Sequence, residues 1–116
     1  MYPDDKFKKI KELYGTLESL KKELEKRMKR LAAAEKNYRQ ALAKKQLEFR
    51  TRGKNEPGNL VLNYAKGDPG VAQLRYERDI ANIDVEVCKE YIRDRRGEIE
   101  SIRSDIAFDR ATYLNS

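Results

Sequence analysis

The sequence predicts an all-α protein: a long antiparallel helical hairpin of coiled-coil type, with a short helix in the connecting elbow, assembling into a multi-helix bundle. Three observations carry this expectation. Apolar residues recur at alternating steps of three and four along both halves of the 116-residue chain, the spacing that lines them up on one side of an α-helix. The stretch Arg50 to Gly70, RTRGKNEPGNLVLNYAKGDPG, holds four of the six glycines and two of the three prolines, so the helix breakers collect at one turning point. Charged residues make up 40% of the chain and hydrophobic residues 39%, the balance of long solvated surfaces around a narrow apolar seam.

The chain reads as one domain, with a helix over residues 5–52, an elbow over 53–68 that contains the short helix, and a return helix over 69–114. Asp4 and Asp5 precede the first periodic run, and their carboxylates suit the free amides of a helix start. From there Ile10, Leu13, Leu17, Leu20, Leu24, Arg27, Leu31, Ala34, Tyr38 and Ala41 form a two-per-heptad seam with Arg27 as its one misfit. Between Thr16 and Phe49 there is no glycine or proline, and good helix formers dominate. Gly15 costs about 1 kcal/mol relative to alanine, too little to stop a helix with this pattern around it.

In the elbow, Gly53 suits a left-handed cap after Arg52, and Asn59 is the expected cap of a short helix from Leu60 to Lys66 that closes at Gly67. Asp68 and Pro69 form the clearest helix start, a capping carboxylate followed by proline at the first helical position. The return seam is Val71, Leu74, Arg78, Ala81, Val85, Cys88, Ile92, Arg95, Ile99, Ile102, Ile106, Asp109 and Tyr113, continuous through Gly97. Tyr76, Ile80, Ile83, Val87 and Tyr91 form a second stripe on the same helix, wider than a two-stranded coiled coil requires. The short helix is expected to cover its end near the elbow and a second copy of the chain the rest, which makes these five residues the candidate oligomer interface. Setting Arg52 level with Pro69 brings Arg27 beside Asp94 and Arg95, and predicts one polar layer shared with Glu23 and Glu98.

Composition narrows the function classes. Histidine is absent and Cys88 is the only cysteine, which removes the usual general base, disulfide frameworks and cysteine or histidine metal sites. Glu86 with Glu90 and Asp94 with Glu98 stand one turn apart, yet a diiron bundle needs Glu-x-x-His pairs. No enzyme activity, cofactor, metal or small-molecule substrate is indicated. No run is long and apolar enough to span a bilayer and the N-terminus has no apolar signal core, so the expected location is cytoplasmic.

Net charge is +6, and it divides unevenly: residues 1–54 carry 17 Lys or Arg against 8 Asp or Glu, and residues 55–116 carry 9 against 12. The elbow gathers the candidate contacts for a partner or for nucleic acid: Lys44, Lys45, Arg50, Arg52, Lys54, Tyr64, Lys66 and Arg75. There, cations would hold phosphates and an exposed tyrosine would stack on a base. The alternative is that Phe49, Tyr64 and Tyr76 are the elbow's small core. Neither GKNEPG nor AKGDPG has the spacing of a phosphate-binding loop.

Three segments around the elbow carry a resemblance: Arg50, Gly53 and Lys54; Ala65, Lys66, Gly67 and Asp68; and Val71, Ala72, Leu74 and Arg75. Their pattern, R-x-x-G-K, A-[KR]-G-D and V-A-x-L-R between two long charged helices, resembles small uncharacterised helical proteins of bacteriophages of Gram-positive bacteria. The resemblance covers the middle third of the chain. It implies no established activity, only a setting among phage genes, often near replication and recombination functions, in a bacterial host. The expected function is a non-catalytic hairpin that self-associates and binds a protein partner. The alternative is a nucleic-acid-binding accessory protein acting through the basic elbow.

Overall fold

The computed structural model describes residues 3–52 and 57–115, with side chains from 4 to 51 and from 57 to 115. Every described residue except Pro57 and Asp68 is helical. The order is α1 (Pro3–Arg52), α2 (Gly58–Gly67) and α3 (Pro69–Asn115), and the fold is the all-α hairpin that the periodicity predicts. Gly15 and Gly97 lie inside α1 and α3 without interrupting them. The expected cap at Gly53 lies outside the described residues, as do Lys54 and the side chain of Arg52.

The chain divides into a terminal unit, Met1–Glu25 with Glu86–Ser116, and an elbow unit, Lys26–Val85. In the terminal unit α1 and α3 run antiparallel: Lys6 pairs with Asp109, Tyr14 with Arg103, and the Cys88 thiol donates to the Leu20 carbonyl at 3.5 Å. Its core is Leu13, Leu17, Cys88, Ile92 and Ile99, with Ile10, Leu20, Leu24 and Ile102 packed partly buried against it. All nine are seam positions. Each fully buried Leu or Ile contributes roughly 1.5–3 kcal/mol, so this aliphatic file accounts for the pairing of the two helices here.

The elbow unit is antiparallel as well, but the groups that cross it are largely polar. The Arg27 guanidinium donates to the Asp84 carbonyl at 2.8 Å, Arg78 reaches Glu35 at 3.7 Å, and Lys45 reaches Asp68 at 3.6 Å. Buried Tyr38 lies under the Arg78 guanidinium, 4.5 Å from its ring centre, a cation–π contact. Val61 and Ala65 of α2 are buried, as is Val71 at the start of α3.

This register overturns the shared polar layer. Lys45, not Arg52, faces the start of α3, an offset of seven residues or about 10 Å along α1. The physical reason is α2. It packs beside the last turns of α1, where Phe49 and Tyr64 stand with ring centres 6.0 Å apart, and α3 therefore begins farther back. Arg27 consequently meets Asp84 in the elbow unit, whereas Arg95 belongs to the terminal unit and pairs with Glu98 at 2.6 Å.

The start of α2 also differs from expectation. Pro57, extended at φ −57° and ψ 144°, precedes the helix, and its carbonyl accepts from the amides of Leu60 and Val61 at 3.0 and 3.2 Å. Asn59 lies inside the helix and does not cap it. Asp68 does what its sequence position predicts: its side chain accepts from the Val71 amide at 3.1 Å and its carbonyl from the Ala72 amide at 2.8 Å.

Candidate functional site

The second stripe of α3 is an apolar row that packing leaves exposed. In the elbow unit Tyr76, Ile80 and Ile83 are exposed, Tyr76 at 60% and Ile83 at 55% of their surface. In the terminal unit Val87 and Tyr91 are exposed too. Their spacing of four, three, four and four residues sets them on one side of the helix, away from Val71, Val85, Cys88 and Ile92, which are buried on the seam side. α2 does not cover Tyr76. Val61 and Ala65 of α2 are buried, yet Tyr76 stays 60% exposed, which corrects the expectation that α2 would shield the near end of the stripe.

Carboxylates border this stripe. Asp79, Glu86 and Glu90 are exposed and paired along the helix with Arg78, Lys89 and Arg93. Glu77 and Asp84 are exposed, and no cation pairs with either side-chain carboxylate among the described residues. The border is therefore acidic on a chain whose net charge is positive.

The basic elbow separates into two kinds of residue. Lys45 is structural: it is held between Glu48 at 3.0 Å and Asp68 at 3.6 Å. The hydrogen bond to Glu48, reinforced by the charges of Asp68 and Glu48, raises its pKa above the usual lysine value. Asp68 is pushed below the usual carboxylate range, chiefly by the Val71 amide; burial opposes this with the next largest effect, and the Lys45 charge adds a smaller lowering. These two, with Lys44, Glu48, Gly70 and Leu74, line a cleft of about 260 Å³. Because acids and bases share it, it is not a uniformly cationic pocket.

Lys44, Arg50, Lys66 and Arg75, by contrast, have no carboxylate partner among the described residues. Lys44 and Arg50 are exposed, and Lys66 and Arg75 half-buried. Tyr64 is half-exposed against Phe49, so one ring face holds the elbow while the rest of the side chain meets water. Arg52 and Lys54 are the two candidates that fall outside the described side chains.

A cleft of about 340 Å³ in the terminal unit escapes a reading of either helix alone. Leu24 and Ile92 form its floor, and Lys21, Lys89, Arg93 and Arg96 its walls. The i, i+4, i+7 row of Lys89, Arg93 and Arg96 is visible in the sequence, but its juxtaposition with Lys21 depends on the register between α1 and α3.

Among the described residues no group of three or more His, Cys, Asp or Glu is placed to hold a metal ion, and no helix is long and apolar enough to cross a membrane. Comparison with protein-family models, with curated proteins and with solved structures gave no match.

Proposed function

We propose that the chain is a non-catalytic helical-hairpin interaction protein that self-associates through the outer stripe of α3 and binds a protein partner. The observation that carries this is the exposure of Tyr76, Ile80, Ile83, Val87 and Tyr91 on a helix whose other side is already filled. Exposed large apolar residues are ordinary one at a time, whereas a row at helical spacing marks a contact surface. The order Tyr, Ile, Ile, Val, Tyr reads almost the same in both directions. Two copies of α3 laid antiparallel would set Tyr76 by Tyr91 of the second copy and Ile80 by Val87, with Ile83 next to the twofold axis, as a self-complementary interface requires. A two-helix seam has little interior of its own, which favours such an assembly. On the resemblance carried by the elbow, the proposed setting is phage biology in the cytoplasm of a bacterial host.

Sedimentation equilibrium tests the reading. The expected result is a dimer or larger species that Ile83→Glu converts to a monomer of unchanged helix content by circular dichroism. A strict monomer for the unmodified chain refutes self-association. The acidic border adds a sign. The same antiparallel pairing sets Glu77 by Glu90 of the second copy, and salt screens like charges, so association tightens as ionic strength rises.

A second reading, a nucleic-acid-binding accessory protein acting through the elbow, is favoured by the unpartnered cations Lys44, Arg50, Lys66 and Arg75. It demands the opposite salt response, because phosphate contacts release counterions and weaken steeply with salt. Gel-shift titration at two salt concentrations, with Lys44→Gln and Arg50→Gln combined, separates the two readings.

A further inference from the structure

We infer that the cleft walled by Lys21, Lys89, Arg93 and Arg96 in the terminal unit binds the phosphodiester backbone of a nucleic-acid strand. This site is separate from the elbow and from the outer stripe of α3. Four cations and no carboxylate line it, over the apolar floor of Leu24 and Ile92.

The existing partners of these cations hold them weakly. Lys21 lies 3.4 Å from Glu18 and Lys89 3.3 Å from Glu86, and Arg93 is bound to Glu90. Each acid sits three residues earlier on the same helix, outside the cleft lining, and at least 58% of each acid's side chain is exposed. Pairs of this kind contribute little and exchange readily. Arg96 has no carboxylate partner among the described residues.

The row from Lys89 to Arg96 rises about 10 Å along α3, and a strand carries one phosphate per about 3.4 Å of helix axis. Consecutive phosphates of a strand that winds around this axis, or of an unstacked single strand, lie farther apart than this rise per phosphate. The row is thus long enough to meet more than one phosphate of the same strand, a reach that a single inorganic phosphate does not use. Two guanidinium groups supply flat, two-pronged donors for phosphate oxygens. Lys21 approaches from α1, so a strand is held from two sides, with its sugar carbons over Leu24 and Ile92.

The test is fluorescence anisotropy of a labelled single-stranded oligothymidylate with the full chain at a series of salt concentrations. Inorganic phosphate and inorganic polyphosphate serve as competitors. Contact with two to four phosphates predicts a slope of log K against log salt of about −1.4 to −3 for a single strand. Combining Arg93→Gln and Arg96→Gln, both exposed and compatible with helix, should lower affinity about tenfold at low salt and make the slope shallower by about 1.4. Circular dichroism verifies that this variant folds. The elbow variant, Lys44→Gln with Arg50→Gln, should keep the slope of the unmodified chain.

Wild-type affinity and slope in the cleft variant overturn the inference, and if binding is lost in the elbow variant instead, the elbow reading alone survives. Absence of binding by the unmodified chain at low salt overturns both. Polyphosphate binding tighter than the strand at equal phosphate concentration overturns the choice of nucleic acid. Sedimentation of the same variants reports on self-association independently.

Discussion

In the terminal unit the layers between α1 and α3 are built from Leu13, Leu17, Cys88, Ile92 and Ile99, whereas in the elbow unit Arg27, Tyr38, Arg78, Glu35, Lys45 and Asp68 cross between the helices. Aliphatic layers hold two helices together but discriminate poorly between neighbouring registers, since one leucine layer resembles the next. A carboxylate that caps α3 while facing Lys45 of α1 has one good position. The difference suggests a division of labour in which aliphatic layers hold the helices together in the terminal unit, while in the elbow unit polar contacts beside buried Tyr38, Val71 and Val85 fix where pairing begins. Two of the three seam arginines, Arg27 and Arg95, show the same split. Arg27 in the elbow unit finds a backbone carbonyl, while the buried Nε of Arg95 in the terminal unit has no partner.

The largest expected effect tests the energy side of that division. Leu17→Ala removes a nearly fully buried leucine from the aliphatic file and should cost about 3 kcal/mol, measured by urea unfolding followed by circular dichroism. A loss below about 1 kcal/mol would mean that the site collapses around the gap and that the terminal unit is less tightly packed than its burial indicates.

Next in size is the coupling of Tyr38 with Arg78 in the elbow unit. The guanidinium sits over the ring and also reaches Glu35 and Asp79. A double-mutant cycle of Tyr38→Leu and Arg78→Met isolates the ring contact, and a coupling of about 1 kcal/mol is expected for a partly desolvated cation–π pair. Additive single effects would show that Arg78 is held by its acids alone.

The third prediction has the opposite sign. Arg95 occupies a seam position with an unsatisfied buried Nε and a single ion pair to half-exposed Glu98. Replacing a poorly satisfied seam ion by an apolar residue of similar length is often stabilising, so Arg95→Met should raise stability by about 1 kcal/mol. The same change at Arg27 should gain less, because Arg27 donates to the Asp84 carbonyl. Equal gains at both positions would erase the distinction between the two units.

The contrast also explains what was legible in the sequence. The seams were, because the three-four rhythm depends on each helix alone: Leu13, Leu17, Val85, Cys88, Ile92 and Ile99 are all buried where the spacing puts them. The exposed stripe was legible for the same reason, as apolar residues in excess of one seam. The register was not, because it depends on how much of α1 the elbow helix occupies, and the packing of Phe49 against Tyr64 is a tertiary fact. That one displacement hides the basic cleft. With Arg52 level with Pro69, Lys21 would face Glu100 and the surface there would read as neutral. In the structure Lys21 shares a cleft with Lys89, Arg93 and Arg96. Lys45 was read as a partner contact for a related reason, since nothing local shows that Asp68 reaches across to it.

The smallest effect expected is the acid response of the elbow, and it tests whether Asp68 anchors the register. Its folded pKa is depressed by the Val71 amide and by Lys45, while in the unfolded chain it titrates near the ordinary value of about 3.9. A group depressed on folding contributes its full stabilisation above the unfolded value and loses it as pH falls through the folded one. The elbow should therefore be indifferent to pH near neutrality and weaken only below about pH 4. Lys45, raised on folding by Glu48 and Asp68, mirrors this in alkali: its contribution is complete below the usual lysine pKa and is lost only as pH rises through the higher folded value. Because Lys45 and Asp68 are partly solvated, salt screens the effect and keeps it small. Following the Val71 and Ala72 amides by NMR through an acid titration should give a midpoint below the ordinary aspartate value, with faster amide exchange beneath it. Asp68→Asn keeps an oxygen that can accept from Val71 but removes the charge facing Lys45, and it should abolish the midpoint while leaving the Leu17 region unchanged. A midpoint at or above the ordinary value would mean that Asp68 is solvated like any surface carboxylate, and the register would then have to be set by Val61, Ala65 and Val71 alone.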